Sequence, residues 1–243
     1  MINIDKKIDF KMFLHQAIKD EEAFCRLIEI ISSKTNIYIF SGIIRNYFLD
    51  NPSCRDLDFV IEDNKKVDIF KEATDLGLKV GVNSYNGMKI LLKTFSVDIW
   101  ALKDTYTIKK RKLKPNPQTL IKTSFFNFQS IVYDYNKEEF IYGKEFEDFY
   151  NSRIMTVVNE DNPNIPLCIV NAIHYASKYS FKIDYKLCKW IADHYSDKYH
   201  YRGVQLHHFG EIKYNDETIK EFFDKCFEFV MSNSNKTDKV LTI

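Results

Sequence analysis

Two aspartates two positions apart in an apolar, strand-like run constrain this chain more than any other feature. The run is R-D-L-D-F-V at residues 55–60. Because side chains alternate across a strand, Asp56 and Asp58 share one face, with their Cα atoms roughly 6.5 Å apart. Neighbouring carboxylates repel each other and lose hydration unless a cation lies between them. The pair predicts a divalent metal site or, as the simpler alternative, a surface strand with two solvated acids.

A strand, a small-residue turn and a short helix are predicted upstream of this pair. Residues 37–40 are aromatic and β-branched, as in a buried strand, and Ser41-Gly42 separates them from an apolar helical pattern. Glycine lets the backbone approach a phosphate, and the N–H groups of a first helical turn point towards it. Arg45 can add a bidentate phosphate contact. Ser41, Gly42 and Arg45 are therefore candidate nucleotide-binding residues; an ordinary strand-to-helix turn with a surface arginine is the alternative.

A third aspartate, Asp98, stands in a later apolar run, S-V-D-I-W at residues 96–100. Asn86-Gly87 precedes another apolar run and predicts a β-hairpin. A helix is predicted over residues 65–76, between the paired acids and the hairpin. The chain thus carries, in order, a turn, a helix, two paired acids, a helix, a hairpin and a third acid.

This order resembles the polymerase-β-like nucleotidyltransferase superfamily. Its signature is a small-residue turn, then D-h-D-h (h, hydrophobic), then a third acid on a later strand. The resemblance implies an α+β fold, in which a small mixed nucleotidyltransferase sheet flanked by helices is followed by a mostly helical C-terminal part. It also implies an enzyme that moves an NMP from an NTP to an acceptor hydroxyl.

A narrower resemblance links the chain to the head and neck of CCA-adding enzymes and bacterial poly(A) polymerases. The segment from Ser41 is similar to their G-G-x-V-R-D-x-L-L, and residues 124–134 are similar to their R-R-D-F-T-I-N-A-L. Residues 166–181 resemble the neck helix. The resemblance implies a head-like catalytic domain over residues 1–143 and a helical neck-like domain over residues 144–243. It assigns ribose or base contact to Asn127.

The chain also departs from these enzymes. Asn46 replaces the acid that follows the arginine, and residues 123–125 replace R-R-D. Other residues stand where the neck usually has arginines: Cys168, Asn171 and His174. No E-D-x-x-R-like motif, with which bacterial CCA enzymes choose C and A, follows the neck. Metal-dependent chemistry is therefore better supported than addition of the sequence CCA.

The resemblance implies two-metal phosphoryl transfer, in which carboxylates hold two Mg²⁺ ions ~3.5–4 Å apart. Asp56 and Asp58 would hold the ion bound to the triphosphate. Asp98, with one or both of them, would hold the ion that activates the acceptor hydroxyl. Lys89, beyond the predicted hairpin turn, is a further candidate phosphate contact.

A basic segment after the third acid bears on the identity of the acceptor. Five of the six residues 109–114 are cations and prolines stand at 115 and 117, which predicts a loop. Because Lys and Arg carry phosphate affinity, the loop is either solvated or contacts an RNA 3′ end through Lys109, Lys110, Arg111 and Lys112. Two further readings stay open. One is NMP transfer to a protein side chain or small molecule, as in toxin–antitoxin or resistance enzymes. The other is a catalytically silent nucleotide- or RNA-binding module.

Composition narrows the class of protein further. The 243 residues are 45% hydrophobic, enough for a sizeable core, and the net charge of +1 argues against a broadly basic nucleic-acid coat. The five cysteines are scattered and odd in number, which favours reduced thiols over disulfides or zinc. No apolar run is long enough to span a membrane, and the first residues lack a signal-peptide core. We expect a cytoplasmic protein without a membrane partner.

Overall fold

The computed structural model describes residues 4–40, 42–49, 56–83, 86–233 and 238–243. The helices of this part of the chain are α1 (Ile4–Ile18), α2 (Glu22–Lys34), α3 (Gly42–Phe48), α4 (Ile69–Asp75), α5 (Tyr106–Arg111), α6 (Pro117–Ile121), α7 (Lys144–Ser152), α8 (Ile165–Tyr179), α9 (Tyr185–His194), α10 (Tyr201–Phe209) and α11 (Asp216–Ser232). The strands are β1 (Ile37–Phe40), β2 (Asp56–Ile61), β3 (Lys79–Val82), β4 (Met88–Leu91), β5 (Ser96–Ala101), β6 (Ile131–Asp134), β7 (Glu139–Tyr142), β8 (Ile154–Met155), β9 (Lys182–Asp184) and β10 (Val240–Leu241).

The chain divides into two compact units. The first comprises Met1–Ser124 and Gln129–Glu147, and the second comprises Phe125–Phe128 and Asp148–Ile243. The division falls within α7, a few residues beyond the predicted boundary. The assignment of residues 1–143 to catalysis and of residues 144–243 to a neck-like domain stays a prediction.

A mixed sheet forms the centre of the first unit. Seven strands of the described chain join in the order β3-β4-β5-β2-β1-β6-β7. The β2–β5 ladder is parallel, and the other ladders of this sheet are antiparallel. This sheet, its flanking helices and the helix-rich second unit confirm the predicted α+β fold class.

The two faces of β2 have different surroundings because its side chains alternate. On one face, Phe59 packs against Phe24 of α2, with ring centroids 5.6 Å apart. On the other face, Val60 is buried in a cluster with Tyr38 of β1 and with Ile108 of α5. Asp56 and Asp58 share the face of Val60 and precede it along the strand. The alternation therefore places both acids beside an apolar cluster rather than inside it.

The basic segment is helical in its first half, where a loop was predicted. Residues 106–111 are helical in α5, the helix ends at Lys112, whose φ of 53° is left-handed, and residues 113–115 form a loop. The prediction was wrong for residues 109–111 because Ile108, 2% exposed, packs into the cluster of Val60 and so supports a helical turn beneath the cations. Pro115 and Pro117 lie after that helix, and Pro117 is the first residue of α6. Asn116 caps α6 by accepting a hydrogen bond from the Thr119 N–H at 2.7 Å.

The second unit combines helices with a small sheet, of order β10-β9-β8 in the described chain. Its helix α8 begins as predicted, with Pro166 in the first turn and Asn164 capping the Leu167 N–H. Helices α9 and α11 pack closely and bury Cys188 and Cys226. No helix in the described ranges is long and apolar enough to cross a membrane.

Candidate active site

The parallel pairing of β2 with β5 brings the three predicted aspartates to one face of the sheet. In this register Asp58 stands opposite Asp98, and Asp56 stands opposite Ser96. Paired residues of adjacent strands have side chains on the same face, at a strand spacing of about 4.8 Å. The acids of two separate sequence motifs thus form one cluster, which we call the carboxylate cluster (Asp56, Asp58 and Asp98).

Two of these carboxylates have fixed hydrogen-bond partners. Ser96 donates its hydroxyl to Oδ1 of Asp56 at 3.0 Å. Asn83 donates through Nδ2 to Oδ1 of Asp98 at 2.9 Å. Lys89 donates through Nζ to Oδ2 of Asp98 at 3.0 Å. Both oxygens of Asp98 are therefore occupied by donors from neighbouring elements.

The β3–β4 hairpin supplies both donors to Asp98. Lys89 lies opposite Asp98 in the antiparallel β4–β5 ladder, which places their side chains on one face. The side-chain amide of Asn83 is fixed by a second hydrogen bond, because its Oδ1 accepts the Gly87 N–H at 2.8 Å. A Cβ atom at Gly87 would lie 2.9 Å from Nδ2 of Asn83, so glycine makes room for this contact. Sequence reasoning missed Asn83, because its position before Asn86-Gly87 marks only a turn.

Asp58 is the carboxylate of the cluster whose pKa is raised. Burial, followed by the charges of Asp98 and Asp56, raises its pKa to about 7, while Lys89 and Arg45 act in the opposite direction. No described residue donates a hydrogen bond to its side chain. A buried carboxylate with like charges beside it favours either a proton or a cation.

The donor set of the cluster fits a hard divalent cation. Within the described residues, no group of three or more His, Cys, Asp or Glu side chains is arranged as a ready metal cage. Mg²⁺ does not need such a cage, because it is usually bound by one or two carboxylates together with substrate phosphates and water. Asp56 and Asp58 provide carboxylate oxygens on one strand face, and among the described residues no donor competes for Asp58.

The predicted phosphate-binding turn is described in part. Ser41 lies outside the described residues, whereas α3 begins at Gly42 as predicted. Arg45 donates through Nε and Nη2 to Oδ1 of Asn46, at 3.1 and 3.0 Å. Asn46, 8% exposed, thus supplies an acceptor oxygen at the position where the resembling enzymes have an acid. The positive charge of Arg45 reaches Asp58, since it lowers the pKa of that residue.

Asn127 belongs to the second unit and is 2% exposed. Its Nδ2 donates to the carbonyl of Ile154 at 2.9 Å. Its Oδ1 accepts the N–H groups of Phe128 and Thr156, each at 3.1 Å. These bonds give the side chain a structural role. The ribose or base contact stays a prediction.

The four cations predicted to contact RNA lie on the last turn and at the end of α5 and are exposed: Lys109, Lys110, Arg111 and Lys112. Lys109 is 4.0 Å from a carboxylate oxygen of Asp104, and Lys110 lies 5.6 Å above the ring of Tyr106. Such exposed contacts contribute little to stability. Contact with RNA stays a prediction.

Solved structures supply the comparison that sequence searches do not. No protein-family model matches the chain, and a search of curated proteins gives no match. A CCA-adding enzyme with CTP matches 85% of this chain at 14% identity, with a TM-score of 0.60. The Thermotoga maritima CCA-adding enzyme complexed with tRNA-CCA matches 83% at 14% identity, with a TM-score of 0.57. A tRNA nucleotidyltransferase complexed with a primer tRNA and an incoming ATP analog matches 88% at 16% identity, with a TM-score of 0.57.

These matches define the class of fold, a mixed sheet followed by a helix-rich part, as one shared with CCA-adding enzymes and a tRNA nucleotidyltransferase. More particularly, the chain has the fold of CCA-adding enzymes, which confirms the resemblance predicted from the sequence. The chain covers 51%, 49% and 60% of these three proteins, so it corresponds to about half of their length. At 14–16% identity the likeness establishes the fold, and the chemistry has to be argued from the site.

Proposed function

We propose that this protein is a Mg²⁺-dependent nucleotidyltransferase that transfers an NMP from an NTP to the hydroxyl of an RNA 3′ end. The observation that carries this proposal is the in-register pairing of Asp58 with Asp98, beside Asp56, within the fold of CCA-adding enzymes. Structures of this fold have been solved with CTP and with tRNA.

Each residue of the site has a role in this reaction. Asp56 and Asp58 hold the divalent cation, and Asp98 completes the negative cluster next to the reacting groups. A bound divalent cation neutralises triphosphate charge and stabilises the leaving pyrophosphate. Arg45, together with backbone N–H groups at the start of α3, binds the phosphates and keeps the α-phosphate in position. The resemblance implies two metal ions, and the ammonium of Lys89 beside Asp98 bears on whether the second one binds.

An RNA acceptor is favoured by the exposed cations of α5. These cations are grouped in one short segment of a protein whose net charge is only +1. A localised basic patch of this kind fits a nucleic-acid backbone better than a neutral small molecule. The described cysteines, Cys25, Cys168, Cys188 and Cys226, are free thiols, which fits a reducing, cytoplasmic location.

Transfer of label from each of the four α-³²P-NTPs tests the proposal. The pure protein is incubated with Mg²⁺ and total cell extract, and the products are then treated with RNase or with protease. We expect label in polymer that RNase removes and protease does not. The Asp58→Asn protein, checked for native structure by circular dichroism, is the control and should transfer no label above background.

The same assay separates the alternatives. Label removed by protease identifies a protein acceptor, and label that passes a small-pore filter as a new product identifies a small molecule. Both results keep nucleotidyl transfer and reject RNA as the acceptor. Absence of transfer from every NTP, together with absence of metal-dependent NTP binding, contradicts the proposed activity.

A further inference from the structure

Lys89 and Asn83 donate hydrogen bonds to both carboxylate oxygens of Asp98 from within the protein. The Lys89 ammonium is 3.0 Å from Oδ2 and the Asn83 amide is 2.9 Å from Oδ1. The side chains of Lys89 and Asp98 are only 37% and 20% exposed, so water screens this ion pair less than a surface pair. The aspartate that is expected to activate the acceptor hydroxyl through a metal ion thus already has a cation.

The strand register holds this cation in place. Lys89 is paired with Asp98 across the β4–β5 ladder. Its neighbours on β4, Met88 and Ile90, are buried at 3% and 0% exposure on the opposite face. A one-residue slip of β4 would bury Lys89 and expose those two side chains, so the pairing is strongly specified. The ammonium is therefore a fixed part of the cluster.

The cluster is asymmetric as a result. At one end, Asp98 is neutralised by an ammonium and capped by an amide. At the other end, Asp56 accepts the Ser96 hydroxyl, and no described residue donates a hydrogen bond to Asp58, although the charges of Lys89 and Arg45 act on it from a greater distance. A divalent cation approaching Asp98 meets the ammonium of Lys89 in direct contact with the carboxylate, whereas one approaching Asp58 meets a carboxylate that no described cation hydrogen-bonds.

We propose that Lys89 is a permanent cation of the site that takes the place of the second metal ion at Asp98. The protein then binds one divalent cation, at Asp56 and Asp58. This inference rests on the proposed function, because it concerns the metal site of that reaction. Lys89 acts through Asp98 as a positioning residue: it holds the carboxylate in one orientation and neutralises its charge beside the acceptor.

Counting bound Mn²⁺ ions tests this proposal without any measurement of activity. Mn²⁺ is titrated into the protein with a non-hydrolysable NTP analogue, and free Mn²⁺ is measured by electron paramagnetic resonance. We expect one ion in total per wild-type complex of protein and analogue, bound more tightly than by the free analogue, and no such tightening in Asp58→Asn. Lys89→Met, which keeps the length of the side chain and removes its charge, should bind two, and Lys89→Met/Asp98→Asn should return to one.

Two controls separate charge from structure. Lys79→Met removes an exposed lysine of the neighbouring strand β3 and should bind one ion, as the wild type does. Lys89→Arg keeps the positive charge and should also bind one. Lys89→Gln serves as a second neutral variant if Lys89→Met does not fold, as judged by circular dichroism and thermal unfolding.

The outcomes distinguish this inference from the proposed function. Two ions in the wild type overturn the role of Lys89 and leave a nucleotidyltransferase with the usual metal pair. One ion in each neutral variant that folds also overturns it. A wild-type complex that binds Mn²⁺ no more tightly than the free analogue does rejects the metal site itself, and with it the proposed function.

Discussion

Asp58 is the residue whose chemistry depends most on its neighbours. Its pKa is raised from 3.8 to about 7, first by burial and then by Asp98 and Asp56, while Lys89 and Arg45 oppose the shift. Between these two pH values the folded metal-free protein binds more protons than the unfolded chain. Stability must therefore fall as pH rises from about 4 to 7, and it levels off above the folded pKa.

Urea unfolding in EDTA over this pH range measures that effect. We expect the wild type to lose stability relative to Asp58→Asn, by a few kcal/mol at most, since one pKa unit corresponds to about 1.4 kcal/mol. Adding Mg²⁺ at pH 7.5 should stabilise the wild type and leave Asp58→Asn unchanged. Parallel pH profiles for the two proteins would show that Asp58 is not held in a repulsive environment.

Arg45 is the residue expected to bind the triphosphate. If its guanidinium binds the triphosphate, Arg45→Ala should weaken NTP binding by about 1.5–3 kcal/mol, as for a hydrogen bond to a charged group. Isothermal calorimetry with a non-hydrolysable analogue measures this loss. Arg26→Ala is the matched control, because Arg26 is 63% exposed and pairs with Glu22 on its own helix. Equal affinity in wild type and Arg45→Ala would make Arg45 a structural residue that orders Asn46.

At the scale of elements, helix α5 presents its cations outward while Ile108 fixes its inner face. When the logarithm of the RNA-binding constant is plotted against the logarithm of the salt concentration, each phosphate neutralised on a single strand contributes about −0.7 to the slope. Replacing Lys109, Lys110, Arg111 and Lys112 by alanine should flatten this slope by about two to three units. NTP affinity should be unchanged, and alanine keeps the helix.

Fluorescence anisotropy with a labelled single-stranded RNA at several salt concentrations measures the slope. A protein with alanine at four exposed lysines elsewhere in the first unit controls for net charge: Lys65, Lys66, Lys71 and Lys79. We expect this control to change the slope much less than the α5 variant does. An unchanged slope in the α5 variant would place the RNA elsewhere or exclude it as the acceptor.

At the scale of the whole molecule, the second compact unit is marked by buried thiols. Cys168, Cys188 and Cys226 all lie in the second unit and are at most 4% exposed. Burial raises the pKa of the Cys168 thiol, and a hydrogen bond with Cys226 followed by burial raises that of Cys188. Thiol reagents attack the thiolate, so both features slow the reaction.

A Cys25→Ser/Cys54→Ser protein isolates these three thiols. At pH 8 their labelling by a chromogenic disulfide should be at least ~100-fold slower than in the unfolded chain, because it requires local or global opening. The rate should rise with urea as the second unit unfolds, and a reducing agent should leave the melting temperature unchanged. Rapid labelling of all three in native buffer would contradict the burial of the α9–α11 interface.

The molecule also shows which features local sequence patterns can predict. Alternation in β2 predicted that Asp56 and Asp58 share a face, since the period of a strand is a local property. The pairing of Asp98 with Lys89 depends on strand order and register, which are set by the burial of distant residues. The helix at α5 was missed for a similar reason, because Ile108 acquires its packing partners only in the folded sheet.

The parallel β2–β5 ladder determines when in folding the acids can meet. Ser96 and Asp56 are 40 residues apart along the chain, and parallel neighbours require a crossover connection between them. That crossover consists of α4 and the β3–β4 hairpin, and the hairpin itself carries Asn83 and Lys89. Pairings of this range form late, after local structure. Lys89 and Asp98 are only 9 residues apart, so their pair belongs to the local structure. We infer that the ammonium is in place before the acids meet, so the chain never has to hold the cluster together without its counter-charge.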